Sequence, residues 1–263
     1  GIKDPVGMTG TRLEINANVV SAMAPYVANL QKAVELATVK PHATIPSVMA
    51  AAKAVLNESQ IENGVAVVDL GGATTSVAVF EEGDLQYVGV VSMGGVNITN
   101  DLAIGLKTDP EVAEKVKLQH SAAIARSETR KVSIKHEKET LFFDQAEIDE
   151  IVEARLEEIF ELVNKELKKA GRAGQLPSGA VLTGGTANLK GIAEYAKSQL
   201  GVAVRVGKPH GFGGVAEIDK PHFAAAVGLM LVDAEAATVR PHGGNTSKKS
   251  GGFIKTLLSK FKP

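Results

Sequence analysis

The run Val65-Ala-Val-Val-Asp-Leu-Gly-Gly-Ala-Thr-Thr-Ser-Val-Ala-Val-Phe80 consists of two apolar stretches joined by a short polar turn. Val65 to Leu70 is too short for an ordinary helix and rich in Val, which predicts a buried strand. Gly71-Gly72 breaks it, Thr75 to Phe80 resumes it, and Glu82-Gly83-Asp84 turns the chain into Leu85 to Val91, so a meander of antiparallel strands is expected. The first turn suits phosphate. Bare Gly71 and Gly72 let N–H groups approach oxygen closely, Ala73 continues the turn, Thr74 and Thr75 add hydroxyl donors, and Asp69 is placed to hold hydrated Mg2+ through water. A tight hairpin turn with no ligand is the competing reading.

Downstream, Ala180-Val181-Leu182-Thr183-Gly184-Gly185-Thr186-Ala187 again sends an apolar strand into a Gly-Gly turn before a helix. A ligand gripped between the two turns would meet Gly184, Gly185 and Thr186. Between the turns, Glu114 and Lys117 stand three apart on one predicted helical face, where an exposed ion pair is the plain alternative. The remaining pattern predicts a strand over Arg12 to Val19 and helices over Ala28 to Ala37, Ile45 to Leu56, Ile98 to Leu106 and Pro110 to Ala123. A hairpin follows over Lys131 to Ile134 and Thr140 to Phe143. The longest helix starts at Asp144, with Glu147 completing a capping-box pattern, and keeps one apolar face to about Ala170. Gly179 to Thr183 and Val202 to Val206 read as strands, Leu189 to Leu200 and Phe223 to Val232 as helices.

Strand-Asp-Gly turn, Glu-x-x-Lys helix and strand-Gly-Gly turn follow the order used by the superfamily of actin, MreB and the heat-shock chaperone ATPases. There they serve as second phosphate loop, adenosine-side clamp and adenosine loop. Over essentially its whole length the chain resembles the FtsA family of actin-like cell-division proteins. The resemblance rests on Gly1-Ile-Lys-Asp-Pro-Val-Gly, Val67-Val-Asp-Leu-Gly-Gly, Gly94-Gly-Val-Asn-Ile-Thr-Asn-Asp, Ala113-Glu-Lys-Val-Lys and Val181-Leu-Thr-Gly-Gly, together with an amphipathic C-terminus. Pilus-assembly PilM is similar in the core, without such a tail as a family.

The resemblance implies an α/β chain with the second half of an actin-like ATPase (ribonuclease H-like) fold. Its organisation would be a remnant of subdomain 1C over 1–40, the returning part of subdomain 1A over 41–60, subdomain 2A over 61–98 and 178–232, subdomain 2B over 99–177, a flexible linker over 233–251, and an amphipathic membrane-targeting helix over 252–263. It further implies ATP and Mg2+ as ligands, the FtsZ C-terminal tail as partner, self-association into actin-like filaments, and at most weak ATPase activity with no catalytic residue nominated. The first phosphate loop and most of 1C would precede Gly1, which agrees with a start that has neither Met nor signal-peptide regions. Ala73 stands where the family usually has a third Gly, adding a methyl beside the phosphate path. Ser76 stands where an acid is common, removing a metal-side carboxylate. The stretch Glu153 to Asn164 resembles the helix carrying part of the FtsZ site, and Arg155 is the residue expected to pair with that acidic tail; otherwise it is a solvated charge.

Composition narrows the field further. The 263 residues carry 29 basic and 30 acidic side chains, so no global field draws the chain to nucleic acid or to an acidic surface. With 4% aromatic residues and no Trp it lacks base-stacking platforms, and nucleic acid is not an expected partner. Absence of Cys excludes disulfides and thiolate chemistry, and cytosol is the default compartment. The longest strongly apolar run, Phe223 to Val232, is about half of the ~20 residues a bilayer span needs. The six His are scattered, none at metal-ligand spacing. Gly211-x-Gly213-x-x-Ala216 superficially matches a dinucleotide fingerprint, but Pro209 and Pro221 flank it where strand and helix should be.

At the C-terminus, Phe253, Ile254, Leu257, Leu258 and Phe261 form one helical stripe. Lys248, Lys249, Lys255, Lys260 and Lys262 flank it with no acid among them, the pattern of a helix lying flat on anionic lipid at the cytoplasmic face of the cell membrane. Docking on the chain's own domain or in another protein's groove is the alternative. Burial of five large apolar side chains would contribute ~1.5–3 kcal/mol each if complete, and each Lys ~1 kcal/mol. Ordering costs ~1–2 kcal/mol per residue. A single copy therefore holds weakly, and copies joined on a polymer hold firmly. An adaptor that tethers FtsZ filaments at the division site fits these features together; an actin-fold ATPase and a PilM-like scaffold are the other readings.

Overall fold

The computed structural model describes residues 7–12, 14, 17–124, 130–210 and 218–239, with side chains to residue 235 in the last helix. Five strands form the central sheet: β1 (Val65–Leu70), β2 (Thr75–Glu81), β3 (Asp84–Val91), β6 (Ala180–Thr183) and β7 (Val204–Val206), in the order β3-β2-β1-β6-β7. The antiparallel meander is as expected, Val65 facing Phe80 and Leu70 facing Thr75. Glu82 and Gly83 both have positive φ, 55° and 86°, the twist a two-residue hairpin requires. The parallel part was not written in the strands themselves. β6 joins β1 with Asp69 opposite Thr183, and β7 joins β6. Both β1 and β6 are buried on both faces, which is why they read as continuous apolar runs rather than as alternation.

Strand pleating divides the core in two. Ala66, Val68, Leu70, Val77, Val79, Ala180 and Leu182 face a large cluster under α4 (Gly95–Gly105), α5 (Pro110–His120), α6 (Gln145–Lys169) and α7 (Ile192–Leu200). Val65, Val67, Ala78 and Val181 face a smaller one under α2 (Ser47–Val55) and α8 (Ala224–Val239). Alanines let those two helices approach closely: a Cβ added to Gly228 of α8 would sit 1.6 Å from the Ala50 carbonyl oxygen of α2. On the other face, the apolar stripe of α6 is buried throughout, from Ile148 through Leu156 and Phe160 to Leu167. Buried Glu166 of α6 accepts from the Tyr87 hydroxyl at 2.6 Å, and Gly89 of β3 leaves room for its carboxylate. A two-stranded hairpin, β4 (Lys131–His136) and β5 (Glu139–Asp144), leads into α6 as predicted.

Several expectations are corrected. Described residues within Arg12 to Val19 lie in no strand and are exposed; the Asn18 side chain donates to the Leu85 carbonyl of β3, but no backbone pairing joins these described residues to that strand. The helix that follows, α1 (Ala24–Leu36), buries none of its residues. A short helix, α3 (Glu58–Asn63), was missed although Asn57 and Gln60 form its capping box. Asp144 does cap α6, but accepts from Ala146 N at 2.9 Å and not from the third residue, so the box with Glu147 does not form. The segment from Gly184 to the start of α7 is a 3-10 turn, Thr186–Asn188, and a loop, rather than helix from Leu189. The linker does not begin at residue 233: α8 runs on to Val239, because Asp233-Ala-Glu-Ala-Ala is strongly helix-forming and Glu235 pairs with Lys53 of α2 at 2.6 Å. Residues 240–251 and the membrane-helix residues Phe253, Ile254, Lys255, Leu257, Leu258, Lys260 and Phe261 lie outside the described residues. No helix among the described residues is long and apolar enough to cross a membrane.

Candidate functional site

Because β1 and β6 are adjacent and parallel, their two glycine turns emerge side by side at the carboxyl edge of the sheet, the edge where open α/β sheets bind ligands. The turn after β1 is locked from below. Gly71 N donates to Thr74 O, while the Gly71 carbonyl accepts from Gly95 N at 2.9 Å and from the Thr186 hydroxyl at 3.0 Å. The Gly72 carbonyl accepts from Val96 N at 2.8 Å. The first amides of α4 thus hold the turn's carbonyls, and the amides of Gly72, Ala73 and Thr74 are left with no acceptor among the described residues. Those of Gly185 and Thr186 in the second turn are likewise free. Such rows of outward N–H groups attract anionic oxygen.

Glycines here have two distinct tasks. At Gly71, Gly94, Gly95 and Gly184 an added Cβ would come within 2.4–2.7 Å of backbone carbonyls or, at Gly95, of the Thr186 hydroxyl, so these four permit close packing of the turns on each other. Gly184 also has φ +87°, and its Cβ would lie 2.6 Å from an Asp69 carboxylate oxygen. Gly185 has open space around it, and Gly72 meets only Val96 at 3.8 Å. These two, with exposed Ala73 and Thr74, form the surface a ligand would touch. Thr75 is not part of it: fully buried, its hydroxyl donates to the Met93 carbonyl at 2.9 Å, because strand alternation turns it inward.

Asp69 lies between the turns, half-buried. Burial pushes its carboxyl up from the usual aspartate value, against a smaller lowering by the hydroxyls of Ser47 and Thr183. Ser47 is 3.4 Å away; Thr183 makes no hydrogen bond of good geometry and acts as a nearby dipole. No cluster of three His, Cys, Asp or Glu stands among the described residues. A single carboxylate set in hydroxyls and free amides suits a hydrated Mg2+ that takes its remaining ligands from water and phosphate, and does not suit an all-protein cage.

Glu114 and Lys117 do form an ion pair, at 2.7 Å, but not an exposed one. The Lys117 side chain is 12% exposed, and its three N–H donors go to Glu114, the Gly95 carbonyl at 3.0 Å and the Thr99 hydroxyl at 2.8 Å. Lys117 therefore ties α5 to the N-terminal turn of α4, and Glu114 is the member open to a ligand. Burial works to raise the Glu114 carboxyl, yet hydrogen bonds from Lys117 and Thr99 and the Lys117 charge outweigh it, so it titrates below the usual range.

Arg155 is placed differently from the exposed fork that was expected. Its side chain is 21% exposed and grips Asp101 of α4 through two nitrogens, Nε at 2.5 Å and Nη2 at 3.0 Å, with Nη1 on Glu158. The Asp101 hydrogen bonds raise its already high pKa; burial opposes them, and the charges of both carboxylates add to the rise. Beside it, Asp101, Ile104, Gly105, Ile151, Ala154 and Glu158 line a groove of about 350 Å3 between α4 and α6. Ile104 is 77% exposed there. Sequence reading missed Ser47, Thr99 and Asp101. Only Ser47, a hydroxyl opening a helix that starts at a proline, carried a local signal.

A family model described as "Cell division protein FtsA" matches residues 66–228. The cell division protein FtsA of Pseudomonas aeruginosa is 34% identical over 236 residues, covering 88% of this chain but 57% of that protein, so the chain spans little more than half of its relative's length. Among solved structures, MreB5 of Spiroplasma citri bound to ADP superposes with a TM-score of 0.68 at 15% identity, over 84% of this chain and 69% of that one. The PilM-PilN type IV pilus biogenesis complex gives 0.61 at 21% identity, over 78% and 57%. The structural likenesses establish an actin-like fold, which MreB and PilM share; the family match, which spans both glycine turns and the helices between them, is what separates the readings, and by it the chain belongs to the FtsA family of cell division proteins.

Proposed function

We propose that this chain is the nucleotide-binding, FtsZ-engaging and membrane-attaching part of a cell-division adaptor, which ties FtsZ filaments to the cytoplasmic face of the membrane at the division site. The single observation that carries the nucleotide part is the convergence of two glycine turns on Asp69 at one sheet edge, with their free amides facing outward. On this reading the sheet with α2, α7 and α8 corresponds to subdomain 2A and the returning part of 1A, residues 99–177 to 2B, and exposed α1 to the remnant of 1C. Gly72, Ala73 and Thr74 receive the phosphates of ATP, Gly185 and Thr186 border its adenosine, Glu114 faces the ribose side, and Lys117 ties α5 to α4. Mg2+, held by Asp69 through water, would neutralise phosphate charge. Ser76, 8% exposed in β2, stands where the family commonly has an acid, so turnover is at most slow and nucleotide serves to set conformation.

The groove beside Arg155 is the proposed seat of the FtsZ tail. Its apolar wall, Ile104 and Ile151, takes an apolar anchor, and Arg155 offers a charge-assisted bond that has to compete with Asp101 and Glu158. The tail helix from residue 252 supplies weak attachment to anionic lipid, multiplied by self-association into actin-like filaments. Vesicle flotation with purified FtsZ tests the whole reading. FtsZ should float with anionic vesicles only when this chain is present, and should cease to float when residues 252–263 are deleted or Ile104 is replaced by Asp. FtsZ flotation that survives both changes would refute it.

A further inference from the structure

The first turn of α2 reaches Asp69 from the opposite helical layer to α4. Ser47 is the first residue of α2, and Pro46 at the cap position gives the helix no side-chain cap. The Ser47 hydroxyl donates to Asp69 Oδ2 at 3.4 Å, about 0.6 Å longer than an ordinary O–H···O contact, while remaining exposed. Across the strand pair, the fully buried Thr183 hydroxyl stands opposite Asp69 with no hydrogen bond of good geometry. Two hydroxyls thus flank one carboxylate oxygen pair, neither bond is tight, and one of the hydroxyls opens to the outside. A serine hydroxyl donates once and accepts twice, so donation to Asp69 leaves its lone pairs for a water.

We infer that Ser47 is a positioning residue for a hydrated divalent cation: it fixes the Asp69 carboxylate by donation and accepts a hydrogen bond from one of the cation's waters. The inference rests on the nucleotide reading above. It makes α2, and through α2 the smaller of the two core layers, a wall of the site that the glycine turns alone do not provide. Partners of this kind hold a metal's ligand in one orientation, and their loss costs roughly 10- to 100-fold in metal affinity.

Calorimetric titration with ADP, in Mg2+ and in EDTA, tests it on the wild-type chain, Ser47→Ala and Ser47→Thr. Wild type and Ser47→Thr should bind ADP more tightly with Mg2+ than without. Ser47→Ala should keep the EDTA affinity and an unchanged unfolding midpoint, yet lose about tenfold or more of the Mg2+-dependent gain. If Ser47→Ala retains that gain, or weakens equally in EDTA, Ser47 is a structural residue and the inference fails alone. If the wild-type chain binds no ADP in either medium, the nucleotide reading falls and takes the inference with it.

Discussion

Gly184 and Gly185 are neighbours in one turn, yet alanine at the two should have opposite consequences. At Gly184 the new side chain must adopt φ near +87°, which costs roughly 1–2 kcal/mol for an L-residue. Its Cβ would lie 2.4 Å from the Leu70 carbonyl oxygen and 2.6 Å from an Asp69 oxygen, in the middle of the β1–β6 contact. Forced repacking of that kind costs roughly 1–3 kcal/mol. Loss of glycine's freedom in the unfolded chain returns only ~0.4–1 kcal/mol. The net destabilisation is about 2–4 kcal/mol, which at ~2–4 °C per kcal/mol lowers the unfolding midpoint by on the order of 10 °C. Gly185, at φ −65° and ψ −39° with nothing within 4 Å, accepts Ala without strain, and the same entropy argument makes it neutral or slightly stabilising. Its methyl, however, lies on the surface assigned to ligand, so ADP affinity should fall about tenfold, ~1.4 kcal/mol. Thermal unfolding followed by circular dichroism and ADP titration read both effects. Equal unfolding midpoints for the two variants would refute the packing argument, and unaltered ADP binding in Gly185→Ala would refute the assignment of the open turn.

Three other perturbations separate competing contributions. Gly228→Ala raises helix propensity by ~1 kcal/mol but brings a Cβ to 1.6 Å from the Ala50 oxygen; urea unfolding should show net destabilisation, and a stabilised variant would mean that α2 and α8 part freely. Asp69→Asn should stabilise the chain without divalent ions at neutral pH. The wild-type carboxyl is raised by burial, so the folded state holds its proton more firmly than the unfolded one, and wild-type stability falls as pH rises from the usual aspartate value through the raised one. Unfolding midpoints across that pH range should show the fall in wild type and its reduction in the variant; identical pH profiles would contradict the burial argument. Lys117→Met removes three bonds around Thr99, Glu114 and Gly95, and should weaken ADP binding through a loosened α4 even if lysine touches no ligand. Hydrogen exchange at Gly95 and Val96 amides should rise in step, and an unchanged rate would refute the bracing role.

The sheet was legible because its two central strands are buried on both faces, and a run such as Val65 to Leu70 has few other ways to fold. That β1 and β6 pair in parallel was not legible in either strand; it follows from the long crossover between them, which only the three-dimensional chain path reveals. The glycine turns were found, but not the division of labour within them, which depends on what lies a few ångströms from each missing Cβ. Thr75 was misread as a ligand donor because a hydroxyl beside a glycine turn looks available until strand alternation is applied to it. Arg155 was misread as free because its partner, Asp101, is 54 residues away on another helix.

The pairing of α2 with α8 has a kinetic side. These helices lie some 170 residues apart in the chain, yet they cover the same face of the sheet. During synthesis at ~5–20 residues per second, the apolar side of α2 would wait on the order of ten seconds or more for its cover. Until then Val48, Ala51, Val55 and the sheet face beneath them offer a sticky surface to chaperones or to other nascent chains. On the proposed function the lipid-binding helix at residues 252–263 comes after α8 in the chain. In that order the cover of α2 is synthesised before the proposed anchor, and a chain that stalls before α8 would have neither.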